Sequence, residues 1–154
     1  MIQARFVHVN IIARDWRPLV AFYRRVFGME IVPPLRDYSG PDLEAGTGVV
    51  GAALEGAHLR LPGLGPDGAT LEIYQYTPEL DAQPPAVNRP GFGHIAFAVQ
   101  DVAAARDAVL DDGGSSVGEV VTLQTVDGRR VTFAYVADPE GNILELQSWS
   151  EPSG

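Results

Sequence analysis

The chain has 154 residues, 45% hydrophobic and 20% charged, with a net charge of −9 and no cysteine. This is enough apolar sequence for one domain or two small fused halves with a buried core. The acidic balance argues against nucleic acid and polybasic membrane contact, both of which need clustered Lys and Arg, and the lack of cysteine excludes disulfides, thiolate zinc sites and cysteine nucleophiles.

The N-terminus, "MIQARFVHVN", enters an alternating strand pattern directly and lacks the apolar block of a signal peptide. No apolar run approaches the roughly 20 residues needed to span a bilayer, so the expected location is the cytoplasm. A first strand is expected at about 5–13. Asp15 can then cap a helix whose apolar stripe is Trp16, Leu19, Val20, Tyr23, Val26 and Phe27, and Gly28 can end it. Arg14, Arg17, Arg24 and Arg25 read as the solvated face of that helix. Strands at about 47–54, 57–61 and 70–76 complete the first half. "TPELDAQPPAVNRPG" has the composition of a linker. A strand at about 92–99 follows, then a helix capped by Asp101 with Val102, Ala105 and Val109 inward and Gly113 after its end. Strands at about 117–126, 129–136 and 143–149 close the second half, and 150–154, "SEPSG", reads as a frayed tail.

This order is β-α-β-β-β twice, and the motifs repeat with it. "HVNIIARD" from His8 to Asp15 matches "HIAFAVQD" from His94 to Asp101. "PDGATLEI" places Glu72 six residues after Pro66, as "PEGNILEL" places Glu145 six after Pro139. An acid-glycine turn, Glu55-Gly56 and Asp127-Gly128, precedes each. The expected fold class is therefore α+β: one domain, 1–154, of two tandem modules at 5–76 and 91–149 joined by a linker at 77–90. Helices would cover one face of the mixed sheets, and the opposite face would curl into a cup.

Strand side chains alternate between faces. Val7, Val9 and Ile11 suit a helix-covered face, which turns His8 and Asn10 into the cup. By the same parity His94 and Ala96 point inward, as do Glu72 and Tyr74, and Glu145, Gln147 and Trp149. A lone Glu145 reads most simply as the wet side of an edge strand. Its repetition at Glu72, with a histidine in each half, points instead to a shared site of two imidazoles and two carboxylates, a recognisable divalent-metal set. His58 has no counterpart in the other half and reads as a strand residue near a pocket.

The stretches "HVNIIARD…FYRRVFGM", "TLEIYQY", "PGFGHIAFAVQD" and "DPEGNILEL" resemble the vicinal oxygen chelate superfamily, which includes glyoxalase I, methylmalonyl-CoA epimerase, extradiol dioxygenases and bleomycin-resistance proteins. The resemblance covers nearly the whole chain and implies paired βαβββ modules around one divalent metal ion (Ni, Co, Zn, Mn or Fe). Its ligand positions fall on His8, Glu72, His94 and Glu145. That order of ligands is similar to bacterial-type glyoxalase I. The implied activity is a lyase or isomerase acting on a small substrate with vicinal oxygens, through an enediolate, with Glu145 or Glu72 as the base. Asn10, Tyr74, Gln147 and Trp149 are candidates for lining the substrate pocket or for ordinary filling. An epimerase-like isomerase usually has Gln where this chain has Glu72. An extradiol dioxygenase typically has further histidines near the metal, and resistance proteins usually lack the ligands. A sequestering protein remains the non-catalytic alternative, and family members are commonly homodimers.

Overall fold

Both halves start with a short apolar strand followed by an aspartate that can accept from a helix N-terminus, and these two features set the plan of each. The computed structural model describes residues 1–81 and 83–151. It divides into two compact units, Met1–Ala82 and Gln83–Gly154. Residues 152–154 of the expected tail and Ala82 of the expected linker lie outside the described residues.

The first unit contains β1 (His8–Ile12), α1 (Trp16–Phe27), β2 (Ile31–Ser39), α2 (Pro41–Thr47), β3 (Ala53–Arg60) and β4 (Thr70–Thr77). Its sheet runs β1-β4-β3-β2. β1 is parallel to β4, and the other pairs are antiparallel. The Asp15 carboxylate accepts from the Arg17 N–H at 3.1 Å and starts α1. Gly28, at φ 64°, ends it in the left-handed conformation that costs glycine little. Trp16, Leu19, Val20 and Tyr23 are buried as the stripe requires, and Phe22 widens it. Under the helix lie Leu71 and Ile73 of β4 and Ala57 and Leu59 of β3, all fully buried.

The second unit contains β5 (Ile95–Ala98), α3 (Val102–Asp111), β6 (Ser115–Ser116), β7 (Val121–Gln124), β8 (Arg130–Ala137) and β9 (Ile143–Ser150). Its sheet order is β5-β9-β8-β6, with β7 also on β8. Again the first strand is parallel to the last, and the other pairs are antiparallel. Asp101 accepts from the Ala104 N–H at 3.0 Å, and Val102 and Val109 bury the inner face of α3. Both sheets are thus mixed, neither closes into a barrel, and the class is α+β. Among the described residues no helix is long and apolar enough to cross a membrane.

Three expectations in this plan need correction. The strands at 47–54 and 57–61 are in fact one strand, β3, at Ala53–Arg60, preceded by the short helix α2. The missing strand is β2, whose Pro33 and Pro34 disguise it. Proline is tolerated there because β2 is an edge strand with no partner on its outer side. The Glu55-Gly56 pair lies inside β3 rather than at a turn. A Cβ at position 56 would come within 2.1 Å of the Ile73 carbonyl oxygen and 2.5 Å of Tyr74 Cδ1, so the glycine marks a close approach. The expected strand at 117–126 is broken into β6 and β7.

The breaks in the outer strands correspond. Between Val32 and Arg36, β2 advances four residues while β3 recedes two, from His58 to Gly56. Between Ser116 and Val121 the outer strand of the second unit advances five while β8 recedes three, from Val136 to Phe133. Each outer strand carries two extra residues relative to its partner, an irregularity common to both halves.

Candidate metal and proton-transfer site

In the first unit, β1 and β4 run side by side in a register that pairs Asn10 with Glu72 and Ile12 with Tyr74. Glu72 is only 7% exposed, and an unpaired carboxylate there would cost several kcal/mol, roughly 2–7 even for a neutral polar group. It is not unpaired. Asn10 Nδ2 donates to Oε2 at 3.3 Å, and His8 Nε2 lies 3.4 Å from the same oxygen. On the other oxygen, Oε1, His58 Nε2 sits at 2.9 Å and Tyr74 Oη donates at 3.2 Å. His58 Nε2 and Tyr74 Oη are themselves 2.6 Å apart, and Thr70 Oγ1 is 3.3 Å from His58 Nδ1. An ionised carboxylate only accepts. The network therefore assigns the proton of a neutral His58 to Nε2, with the Thr70 hydroxyl donating to Nδ1.

Burial pushes the His58 imidazolium below its usual range, and Arg36 and His8 push the same way against the pull of Glu72. The Tyr74 phenol is pushed up to about 12, first by burial and then by the Glu72 charge beside it. Both shifts keep the network in the neutral-imidazole, neutral-phenol state at physiological pH.

In the second unit, β5 and β9 pair Ala96 with Glu145 and Ala98 with Gln147. His94 stands one residue before β5 and places Nε2 2.9 Å from Glu145 Oε2. Across β9, Tyr135 of β8 is the register partner of Glu145, and its ring centroid lies 5.2 Å from that of His94. Burial, with Glu145 adding, raises the Tyr135 phenol above its ordinary value. Asp138 fixes the tight connection into β9. Its carboxylate accepts from the Glu140 and Asn142 N–H groups at 3.0 and 2.9 Å and from the Asn142 side chain.

Each expected His-Glu pair is therefore formed within its own unit. Asn10 and Tyr74, expected as pocket lining, are partners of Glu72. Gln147 and Trp149 bond each other farther along β9, Nε1 to Oε1 at 2.7 Å, with the Arg129 guanidinium 5.1 Å over the indole ring. Two groups at the site went unassigned in the sequence: His58, left near a pocket, and Tyr135. Both occupy one repeat position, since His58 faces Glu72 across β3–β4 and Tyr135 faces Glu145 across β8–β9. Aligning the halves backward from the two glutamates finds them.

Two ligands held at right angles about 2.0–2.2 Å from one ion lie about 3 Å apart. The 3.4 Å and 2.9 Å separations of the two His-Glu pairs fit that edge. Among the described residues no three His, Asp or Glu side chains are grouped around a single point. For His8, His58 and Glu72 the reason is geometric, because the two imidazoles approach opposite carboxylate oxygens. Each unit thus offers a two-ligand pair.

The family model for the glyoxalase/bleomycin resistance protein/dioxygenase superfamily matches residues 5–146. The chain is 29% identical over 148 residues to a probable lactoylglutathione lyase of Vibrio parahaemolyticus, covering 95% of this chain and 91% of that protein. It is also 29% identical over 143 residues to an ethylmalonyl-CoA/methylmalonyl-CoA epimerase of Cereibacter sphaeroides, covering 93% and 96%. A crystal structure of a glyoxalase family protein from Bacillus cereus superposes with a TM-score of 0.73 at 21% identity, covering 98% of this chain and 96% of that one, a likeness of fold. With a match spanning both modules, the chain belongs to the glyoxalase/bleomycin resistance protein/dioxygenase superfamily.

Proposed function

We propose that the protein is a metal-dependent lyase or isomerase of glyoxalase I type, with both modules acting as one domain over 1–154. In this reading His8, Glu72, His94 and Glu145 ligate one divalent ion, and the substrate is a small molecule with two adjacent oxygens. The observation that carries it is the pairing of a histidine nitrogen with a carboxylate oxygen in each unit, at ligand-edge distance and at equivalent repeat positions. An ion held there supplies Lewis-acid stabilisation of negative charge on the substrate oxygens.

The remaining work belongs to the chain's own side chains. Glu145, with His94 as its close polar partner, takes the proton from the carbon beside the substrate carbonyl. The resulting enediolate is reprotonated at the neighbouring carbon by the same carboxyl group. Glu72, held from several sides, stays a ligand. Gln147 and Trp149 offer a hydrogen-bonding and an aromatic surface to the substrate along β9. A homodimer in the cytoplasm belongs to the same proposal, with the exposed Phe6 and Val7 just before the edge strand β1, and Ile12 at its end, as surface for a second copy.

The resemblance to an epimerase at 29% identity favours, as a second reading, an isomerase that moves a proton beside a thioester. Both readings begin by abstracting a proton from the carbon beside a carbonyl and differ in where it is returned, so exchange of that carbon-bound hydrogen with deuterium oxide serves either. Metal content is the first test. Elemental analysis after reloading should give one divalent ion per set of His8, Glu72, His94 and Glu145 in the wild type and none in H8A/H94A. Equal, sub-stoichiometric metal in both proteins rejects the site.

A further inference from the structure

The two glutamates are equivalent in the repeat, yet the first has a second layer of partners on the oxygen that faces away from His8. His58 Nε2 and Tyr74 Oη both lie on Glu72 Oε1, at 2.9 and 3.2 Å. They also lie 2.6 Å from each other, so the two groups approach that oxygen as one linked unit. His58 is held in turn through its far nitrogen by Thr70. The Tyr74 ring reaches this place because Gly56 of β3, its register partner, has no side chain. A Cβ there would sit 2.5 Å from Tyr74 Cδ1. The opposite oxygen, Oε2, faces His8 and Asn10.

We propose that His58 and Tyr74 are positioning residues that occupy Oε1 of Glu72, so that this carboxylate presents Oε2 alone to a divalent ion and cannot swing. The proposal rests on the metal-site reading above and adds to it a mode of ligation and two residues. A carboxylate with both oxygens free can ligate in one- or two-oxygen fashion and change between them. With Oε1 spoken for by two donors, Glu72 is confined to single-oxygen ligation beside His8. Outer partners of this kind orient a ligand, and their loss commonly costs about 10–100-fold in metal affinity. Among the described residues the second unit shows no such arrangement: the register partner of Glu145 is Tyr135, and the position equivalent to Gly56 is Phe133, which carries a side chain.

The test uses the full chain and the variants Y74F, H58L and H58Q, with circular dichroism to confirm that each folds. In the metal-free proteins, NMR couplings of the Glu72 methylene groups read its rotamer directly. Wild type should show a single rotamer, and Y74F and H58L should show averaging. H58Q, which keeps a donor, should return most of the order. Co2+ is then titrated against a competing chelator. Y74F and H58L should bind about 10–100-fold more weakly, with an altered visible spectrum as Oε1 joins the coordination sphere. A single Glu72 rotamer in both Y74F and H58L overturns the proposal, as does unchanged Co2+ affinity and spectrum. If the wild type takes up no Co2+, the metal reading falls by itself, while averaging of Glu72 in the variants still upholds the hold on Oε1.

Discussion

Glu72 and Glu145 stand at the same point of two sheets with the same strand plan, each opposite an edge strand that its own β-α unit supplies. Around Glu72 are His8, Asn10, His58 and Tyr74, whereas Glu145 has His94, whose ring is tilted against that of Tyr135. The difference arises from volume as much as polarity. On β3 and β4 the paired residues are Gly56 and Tyr74; on β8 and β9 they are Phe133 and Gln147. The large side chain has changed strands between the halves, and only the first arrangement sends a hydroxyl back to the glutamate. Duplication supplies two carboxylates, and the side chains around Glu72 contact both of its oxygens, whereas Glu145 is paired with His94 through Oε2.

The strongest way to break this contrast is at Glu145, the carboxylate proposed as the base. E145Q retains shape and removes the base, and turnover should fall by at least about 10²-fold with the fold intact. Steady-state kinetics on a metal-loaded sample checks this, and unchanged turnover would move the proton to another group.

A smaller effect is expected at the residue that makes room for Tyr74. G56A places a methyl group against the Ile73 carbonyl and the Tyr74 ring, and overpacking of this kind costs about 1–3 kcal/mol. Urea unfolding should show a lowered midpoint, and the Tyr74 hydroxyl should lose its place on Glu72. A midpoint equal to wild type would mean that the strand pair relaxes freely there.

The smallest effect is a titration. With the Tyr74 phenol at about 12, its ionisation in the folded protein lies above the unfolded value of about 10. The unfolded chain thus loses this proton first, and the tyrosine's contribution to stability, full below about pH 10, is lost as pH rises toward 12. Ultraviolet titration should reveal a tyrosine ionising at about 12 that is missing in Y74F. A tyrosine titrating near 10 in its place would show that the Glu72 neighbourhood is wetter than described.

Much of this is legible in the sequence. His8, Asn10, Glu72 and Tyr74 lie on strands where Ile11, Leu71 and Ile73 alternate with them under α1, so parity alone separates the two faces. His94 and Glu145 follow from the repeat. His58 reads correctly as a strand residue, but its contact with Glu72 does not, because β3 extends back to Ala53 through Gly56, a residue that looks like a turn. Gly56 has two physical meanings, turn and close approach, and local sequence does not distinguish them, since the contact it permits is with Tyr74 on another strand. β2 was hidden by Pro33 and Pro34, which only an edge position excuses, and edge position is a property of the finished sheet. α2 was hidden because Gly46, and Gly48 just after its end, look like loop residues, while its start at Pro41 is set by the tolerance of proline in a first helical turn.

The ladder order has a practical corollary for anyone wishing to handle the halves separately. Among the described residues every strand pairs with strands of its own unit, so a break near the exposed Leu80 severs no ladder. The two glutamates can therefore be placed on separate polypeptides, made in differently isotope-labelled cultures and mixed. Such a split protein lets each carboxylate be watched in a spectrum free of its twin.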